Sequence, residues 1–392
     1  DTMTYTPTET VDKVTGSIDF TADFGGLWND ANTNGKIDSG ELITVTPTSI
    51  DATVTDGTID FTANNNIAVP ANVGFGAVLQ NVTLTSEGSS ETGTTGDILV
   101  NGTGAFGKIE NIEVTTGSGD ATYDATWGAT TAKNITLTSL AGNGTGEGDV
   151  VFSGDLAMAF ADATNNRTTS TSISDINLEA VNGNVTVSGN ITTQLGLQLN
   201  GNAEVSATLL DKASAETRTF EISNITLKAG NDGPDNGATD GVVTISGLIG
   251  SENTTKISDL SFTAGSNVNT DKIGVTGEIF AHNIDGVVFN GYAQLDVESI
   301  VADDSNTDLK FVGGVNYEIA SVAATPGTGS VLNSITGLVF NGSVSGTGDL
   351  QGAADADILA SKIGDIVVNA NVDPTTTIKF AVSGLNVRAT AM

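Results

Sequence analysis

Apolar and polar residues alternate along almost the whole chain, and this period of two is the strongest constraint on its fold. Thr, Val, Ile, Gly, Asn, Asp and Ser dominate the strands and turns between them, and proline is scarce, at 6 of 392 residues. No segment shows a sustained helical spacing of apolar residues with caps. The sequence therefore predicts an all-β protein with almost no helix.

Turn dipeptides favour antiparallel hairpins. Asn182-Gly183 is the preferred dipeptide of a two-residue type I′ loop, and such a loop would pair Ala180 with Val185 and Leu178 with Val187. Three-residue loops at 200–202, 290–292 and 341–343 would likewise keep apolar partners on one face. We therefore expect antiparallel hairpins that form a β-sandwich or irregular β-solenoid layers.

One motif recurs: an aliphatic residue, two small or polar residues, an aliphatic residue, any residue, and then an aliphatic residue or Phe. Copies start at Ile109, Ile173, Ile222, Ile257, Ile284, Ile335 and Ile363. Because their intervals vary widely, the pattern favours hairpins of variable length over a tight solenoid of fixed period. We expect an N-terminal β module at 1–70 and a repeated β-hairpin region at 71–392. The repeated region is expected to consist of two subdomains that meet near 230–240.

Residues 30–41 match every fixed position of the calcium-loop pattern D-x-[DN]-x-[DN]-G-x5-E. Calcium takes six to eight oxygen ligands, and alternate residues of a tight loop can supply them. Lys36 would contribute its backbone carbonyl and Glu41 both carboxylate oxygens. The predicted Ca²⁺ ligands are Asp30, Asn32, Asn34, Lys36, Asp38 and Glu41.

The segment 26–41 resembles the calcium loop of the B-type modules of bacterial surface adhesins. The matching positions are Trp28, Asp30, Asn32, Asn34, Gly35, Asp38, Gly40 and Glu41. The resemblance implies a loop that stiffens a β module rather than one that senses calcium. In composition the whole chain also resembles bacterial surface-layer proteins, which are acidic, cysteine-free and rich in β-structure.

The chain is strongly acidic, with 14 Lys and Arg against 47 Asp and Glu and a formal net charge of −33. This charge argues against nucleic acid as a partner and favours an ion-rich extracellular setting. No apolar stretch is long enough for a transmembrane helix. The chain starts without a signal-peptide pattern, so we expect a processed protein at the bacterial cell surface.

Motifs that would indicate catalysis are weak. Gly102–Gly107 spells G-x-G-x-x-G, but the next residues read as a strand rather than a helix. His282 is the only histidine and fits a polar strand end. Trp127 fits the core better than a sugar-binding shelf, and N-x-S/T sequons are as frequent as the composition alone would produce. We therefore expect no enzymatic activity.

These observations favour a secreted structural protein that self-assembles with calcium into a surface layer or a biofilm matrix. Its expected partners are further copies of itself and cell-surface glycans. Two alternatives are a monomeric adhesin module and an outer-membrane β-barrel porin, since residues 185–209 alternate as a lipid-facing hairpin would.

Overall fold

Parallel strand pairing organises the chain. The structure is a computed structural model. It describes residues 4–5, 9–14, 17–24, 33, 44–45, 49–55, 57–65, 78–87, 96–129, 131–140, 148–158, 171–192, 220–230, 241–251, 254–265, 271–295, 300–302, 334–340, 344–346, 358–360, 362–364, 366–368, 382–383 and 387–389. These residues form 34 strands and no helix, which confirms the all-β prediction.

Three large parallel sheets contain nearly all of the strands. Sheet 1 holds β2 (Glu9–Val14), β5 (Ile50–Val54), β7 (Val78–Ser86), β10 (Lys108–Thr116), β13 (Thr131–Ser139), β16 (Thr171–Ala180), β19 (Phe220–Ala229), β22 (Lys256–Thr263), β25 (Asn283–Asn290), β28 (Ser334–Phe340), β31 (Lys362–Ile363) and β32 (Ile366–Val368). A separate parallel pair joins β1 (Thr4–Tyr5) to β4 (Thr44–Val45).

Sheets 2 and 3 are built from shorter strands. Sheet 2 holds β3 (Ile18–Asp23), β6 (Ile59–Asn64), β8 (Ile98–Asn101), β11 (Ala121–Tyr123), β14 (Val150–Phe152), β17 (Val185–Val187), β20 (Val243–Ile245), β23 (Ile273–Val275), β26 (Ala293–Leu295), β29 (Val344–Gly346) and β33 (Val382–Ser383). Sheet 3 holds β9 (Thr103–Phe106), β12 (Thr126–Ala129), β15 (Asp155–Met158), β18 (Ile191–Thr192), β21 (Leu248–Gly250), β24 (Glu278–Ala281), β27 (Ile300–Ala302), β30 (Ile358–Ala360) and β34 (Val387–Ala389).

From β7 onwards, the chain visits sheets 1, 2 and 3 in turn and then starts the next rung. After β10, β11 and β12, it returns to sheet 1 as β13, which pairs in parallel with β10. The strands β14 and β15 then pair in parallel with β11 and β12. This arrangement is a three-sheet parallel β-solenoid, in which each rung contacts mainly its two neighbours.

The predicted antiparallel hairpins are therefore wrong. Leu178 pairs with Leu137 and Leu227 rather than with Val187, and the described partners of Val187 lie on other rungs of sheet 2. Neither central residue of Asn182-Gly183 has the positive φ that a type I′ turn requires. The dipeptide instead lies at the corner between sheets 1 and 2, where period-two alternation also places apolar residues inward.

The hairpins predicted around the loops at 290–292 and 341–343 are also wrong, because their strands pair in parallel with strands of neighbouring rungs. Phe289 lies between Phe262 and Phe340 on neighbouring rungs, with ring centroids 5.3 Å and 4.9 Å away. Ala293, the predicted partner of Phe289, pairs with Ile273 and Val344 in sheet 2. The third predicted loop, at 200–202, lies outside the described residues.

The recurring motif marks successive strands of sheet 1. Ile173, Ile222 and Ile257 are register partners, and the column continues through Ile284 and Ile335. The spacing between copies varies because the segments that return the chain to sheet 1 differ in length, whereas the ladder fixes only the strands. Variable spacing was therefore not evidence against a solenoid.

Each long strand of sheet 1 from β7 to β28 contains one residue with a positive φ, in the left-handed backbone region. This residue explains why two residues separate the first two aliphatic positions of the motif. In β16, Ile173 and Ile176 are both buried while Asp175, with φ 57°, is exposed. One such residue shifts the alternation so that both isoleucines point inward. Asn and Asp tolerate this backbone region better than other non-glycine residues do. Equivalent residues are Asn81, Asn111, Asn134, Asn224, Asp259, Gly286 and Gly337.

Backbone ladders cross both expected domain boundaries. Strands β5 and β6 pair with β7 and β8 across residue 70, and β19 pairs with β22 across 230–240. The division into modules stays a prediction. None of the described residues forms a helix long and apolar enough to cross a membrane.

Candidate functional site

The predicted calcium ligands Asp30, Asn32, Asn34, Lys36, Asp38 and Glu41 lie outside the described residues, as does Trp28. Within that segment, the structure describes Thr33, which is exposed with φ 57°. The segment connects β3 to β4, so it follows the first strand of sheet 2. Among the described residues, no group of three or more His, Cys, Asp or Glu side chains is placed to hold a metal ion. Calcium binding stays a prediction.

Polar side chains stack along the solenoid instead of converging on one point. On the outer face of sheet 1, the left-handed residues form a column with amide hydrogen bonds between rungs. Asn111 Nδ2 donates to Asn81 Oδ1 over 2.9 Å, and Asn134 Nδ2 donates to Asn111 Oδ1 over 2.8 Å. Further along, Asn224 Nδ2 donates to Asp175 Oδ1 over 3.0 Å. These contacts reinforce the backbone ladder on an exposed face.

A second column lies at the corner between sheets 1 and 2. Here each side-chain oxygen accepts a hydrogen bond from the backbone N–H of the equivalent residue on the following rung. Asp97 Oδ1 accepts from Asp120 over 2.9 Å, Asp120 Oδ1 from Asp149 over 2.8 Å, and Asp149 Oδ1 from Asn184 over 2.8 Å. Asn184 Oδ1 in turn accepts from Val242 over 3.0 Å. We call Asp97, Asp120, Asp149 and Asn184 the corner column.

Three of the four members of the corner column carry a negative charge. Burial is the main cause that raises the pKa of Asp120, and the carboxylates of Asp149 and Asp97 raise it further. The hydrogen bond from the Asp149 backbone acts in the opposite direction and lowers this pKa. The column thus combines useful backbone hydrogen bonds with repulsion between like charges on neighbouring rungs.

Replacing Asp120 with asparagine should stabilise the protein at neutral pH. Asn keeps an oxygen for the Asp149 N–H and removes one charge, as Asn184 already does in this column. Folding raises the pKa of Asp120, which means that the folded protein tolerates the protonated carboxyl group better than the ionised one. The contribution of Asp120 to the free energy of unfolding is therefore complete below the unfolded pKa and is lost as pH rises through the folded pKa. We expect a gain of about 0.5–1 kcal/mol at about pH 7, typical of a cross-strand charge pair, that disappears near pH ~4.

Urea unfolding at both pH values checks this expectation, and Asn184→Asp is the matched opposite change. It adds a fourth carboxylate to the corner column and should destabilise the protein by a similar amount at neutral pH. Comparing differences between variants cancels the general effect of acidifying a chain with net charge −33. A gain for Asp120→Asn of equal size at both pH values would contradict the electrostatic explanation.

The other corner and the first rungs contain smaller polar clusters. At the corner between sheets 2 and 3, Asp155 Oδ1 accepts from both the backbone and the side chain of Asn190, over 3.0 Å and 2.7 Å. On sheet 2, Asp19 and Asp60 are register partners. Burial, and secondarily Asp19, raises the pKa of Asp60, whose Oδ1 is buried and accepts no hydrogen bond in the described part.

Positive charge is placed along sheet 1 next to carboxylates. Lys108 and Lys133 both form ion pairs with Glu110, and their hydrogen bonds lower the pKa of that carboxyl group. Lys228 pairs with Glu179 on the neighbouring rung. These pairs are partly or largely exposed, so the surrounding water screens them. The Lys133–Glu110 and Lys228–Glu179 pairs join neighbouring rungs, whereas Lys108–Glu110 lies within β10.

The polar columns contain five of the N-x-S/T sequons. A left-handed Asn is followed by an inward aliphatic residue and an outward Thr, which spells N-x-T at Asn81, Asn134 and Asn224. Asn184 and Asn190 produce the same spelling at the two corners. The sequence analysis considered only the frequency of these sequons and did not identify the columns in which they lie. Alignment of the motif copies on their shared Asn or Asp would have revealed the outer column.

Other sequence interpretations are confirmed. Trp127 is fully buried, and its Nε1 donates to the Ala63 carbonyl over 3.1 Å. His282 follows β24 directly and is partly buried, with its backbone N–H donating to Thr254 over 2.8 Å. The G-x-G-x-x-G segment belongs to β9 and is followed by strand β10, not by a helix.

These features define the chain structurally as a parallel β-solenoid with stacked polar corners. No protein-family model, curated protein or solved structure matches it.

Proposed function

We propose that this chain is a secreted structural protein of the bacterial cell surface that self-assembles with calcium into a surface layer or extracellular matrix. The observation that supports this proposal best is the uninterrupted stack of rungs. Sheet 2 alone contains 11 strands, which at ~4.8 Å per strand gives a scaffold roughly 50 Å long. A repetitive scaffold of this kind suits structural work along one axis.

The side chains that connect the rungs support the same function. Amide, carboxylate and Lys–Glu contacts repeat from rung to rung, and they add to the backbone ladders. A solenoid gains stability from each nearest-neighbour interface. Columns of this kind therefore stiffen the scaffold throughout its length instead of concentrating function in one pocket.

The negative charge of the chain is the reason why we expect assembly to depend on calcium. A net charge of −33 makes copies of the chain repel one another, and this repulsion weakens with ionic strength and with bound divalent cations. The loop at 30–41 would add a specific site to this general effect. Calcium would then both order the loop and permit close approach of neighbouring copies.

Negative-stain electron microscopy of the purified protein in millimolar calcium, and again after chelation, tests the proposal. We expect sheets or filaments that disperse on chelation. Glu41→Gln should remove tight calcium binding measured by titration calorimetry, whereas the exposed Glu221→Gln on β19 should leave it unchanged. Dispersed particles in both conditions would contradict self-assembly and favour the monomeric adhesin.

A further inference from the structure

Asn-Gly dipeptides are places where a protein can modify itself. Glycine has no side chain to hinder its backbone nitrogen, so this nitrogen can attack the side-chain carbonyl carbon of the preceding asparagine. The attack requires a side chain and a backbone that are free to turn towards each other. Three such dipeptides lie in the described part of the chain, at Asn101-Gly102, Asn182-Gly183 and Asn290-Gly291.

The fold restrains two of these asparagines. Asn290 belongs to β25, its Nδ2 donates to Thr263 Oγ1 over 3.2 Å, and its carbonyl accepts from the Ala264 N–H over 3.1 Å. A reaction at Asn290 must therefore break hydrogen bonds of both its side chain and its backbone. Asn101 is the last residue of β8 and the register partner of Thr62, so its backbone is held although its side chain forms no hydrogen bond with the described residues.

The turn that contains Asn182 is much less restrained. Among the described residues, neither the side chain nor the backbone of Asn182 forms a hydrogen bond. The side chain is partly exposed, and the adjacent Val181 is 37% exposed, so water reaches this turn. Gly183 is connected to other rungs by an isolated bridge to Gly230 and by a long hydrogen bond of 3.4 Å from the Gly241 N–H. Asn182 is therefore the least restrained of the three asparagines.

We propose that Asn182 is a site of spontaneous deamidation in the folded protein. The Gly183 nitrogen forms a bond to Cγ of Asn182, the Cγ–Nδ2 bond breaks, and the proton from Gly183 leaves with the amide nitrogen as ammonia. Water then opens the cyclic imide at either of its two carbonyl carbons. Opening at Cγ leaves an aspartate, whereas opening at the former backbone carbonyl leaves an isoaspartate, in which the chain continues through the side chain. This modification does not depend on the proposed self-assembly.

Both products disturb the corner between sheets 1 and 2. The aspartate product adds a carboxylate two residues before Asn184, at the corner where Asp149 already carries a negative charge on the previous rung. The isoaspartate product lengthens the backbone directly before Gly183. This glycine has no spare room, because a Cβ atom there would lie 2.3 Å from the Gly148 carbonyl oxygen and 2.9 Å from Asp149 Oδ1. We therefore expect the isoaspartate form to unfold at a lower urea concentration than the aspartate form.

Incubation of the full-length protein at mildly alkaline pH, folded and in urea that unfolds it, tests the proposal. Digestion and peptide mass spectrometry at successive times give the conversion of amide to carboxyl at each asparagine. In urea the three dipeptides should convert at similar rates. In the folded protein Asn182 should stay within roughly threefold of its unfolded rate, and Asn290 should be at least about tenfold slower than Asn182, the factor that corresponds to the hydrogen bonds it must break. Asn101 should lie between them.

Asn182→Gln is the control for the assignment. The longer side chain must close a larger ring, so conversion at this position should stop on the same timescale while circular dichroism and the rates at Asn101 and Asn290 stay unchanged. A folded protein in which Asn182 reacts as slowly as Asn290 would overturn the proposal. Equal and fast reaction of all three asparagines in the folded protein would overturn it as well, because the dipeptide alone, and not the turn, would then determine the rate.

Discussion

Gly189→Ala is expected to destabilise the protein by about 3 kcal/mol or more, at the upper end of the cost of overpacking. Gly189 lies at the corner between β17 and β18. A Cβ atom built on it would lie 1.8 Å from the Gly154 carbonyl oxygen of the previous rung. The Gly189 N–H donates to the Phe152 carbonyl over 3.0 Å, so the backbone cannot move away without losing a hydrogen bond.

The same close approach recurs along this corner. A Cβ atom on Gly247 would lie 1.8 Å from the Gly189 carbonyl oxygen, and one on Gly277 would lie 2.0 Å from the Gly247 carbonyl oxygen. The conflict is with rigid backbone in each case and not with the flexible end of a side chain. Alanine at Gly189 must therefore separate two rungs along the solenoid axis.

Gly274→Ala provides the matched control. Gly274 lies in β23 of sheet 2, and a Cβ atom there would meet no heavy atom within 4 Å. Since glycine inside a strand costs about 0.5–1 kcal/mol relative to alanine, this change should be neutral or slightly stabilising. Urea unfolding followed by circular dichroism compares the two variants. Equal stability of both alanine variants would refute a steric role for the corner glycine.

The sequence predicted which residues face the core but not which strands pair with each other. Alternation correctly gave the inward face of each strand, for example Val185 and Val187 of β17. It did not identify the pairing partner, because a hairpin and a parallel rung bury the same alternate residues. The dipeptide Asn182-Gly183 then indicated the wrong pairing partner. Gly183 is needed because a Cβ atom there would lie 2.3 Å from the Gly148 carbonyl oxygen, and not because its φ is positive.

Two sequence signals could have indicated the solenoid. One is the near identity of residues 18–23 and 59–64, which stack directly on one another. The other is the Asn or Asp at the third position of the motif, for example Asp175 and Asn224, which are stacked and left-handed. Neither signal has a fixed period, because the return segments vary in length. The calcium-loop pattern could be found because its predicted ligands are local in sequence, whereas the corner column is assembled from separate rungs.

Trp127→Ala should cost about 3–5 kcal/mol, as expected for removal of a large buried aromatic side chain. Trp127 is fully buried in β12 and meets Tyr123 and Phe106 in edge-to-face geometry, with ring centroids 5.4 Å and 6.0 Å away. Tyr123 in turn stacks on Phe152 of the next rung at 4.3 Å. The truncation therefore leaves a cavity against the aromatic rings of Phe106 and Tyr123, which lie on two neighbouring rungs.

Trp127→Phe separates the cavity from the hydrogen bond. Phenylalanine keeps much of the ring contact but leaves the Ala63 carbonyl without the indole N–H, so we expect a smaller loss of about 1–3 kcal/mol. Because a solenoid transmits contacts mainly between neighbours, hydrogen exchange should accelerate most in β9, β12 and β15, and least in distant β25 and β28. Uniform acceleration along the whole chain would show instead that the rungs unfold as one cooperative unit.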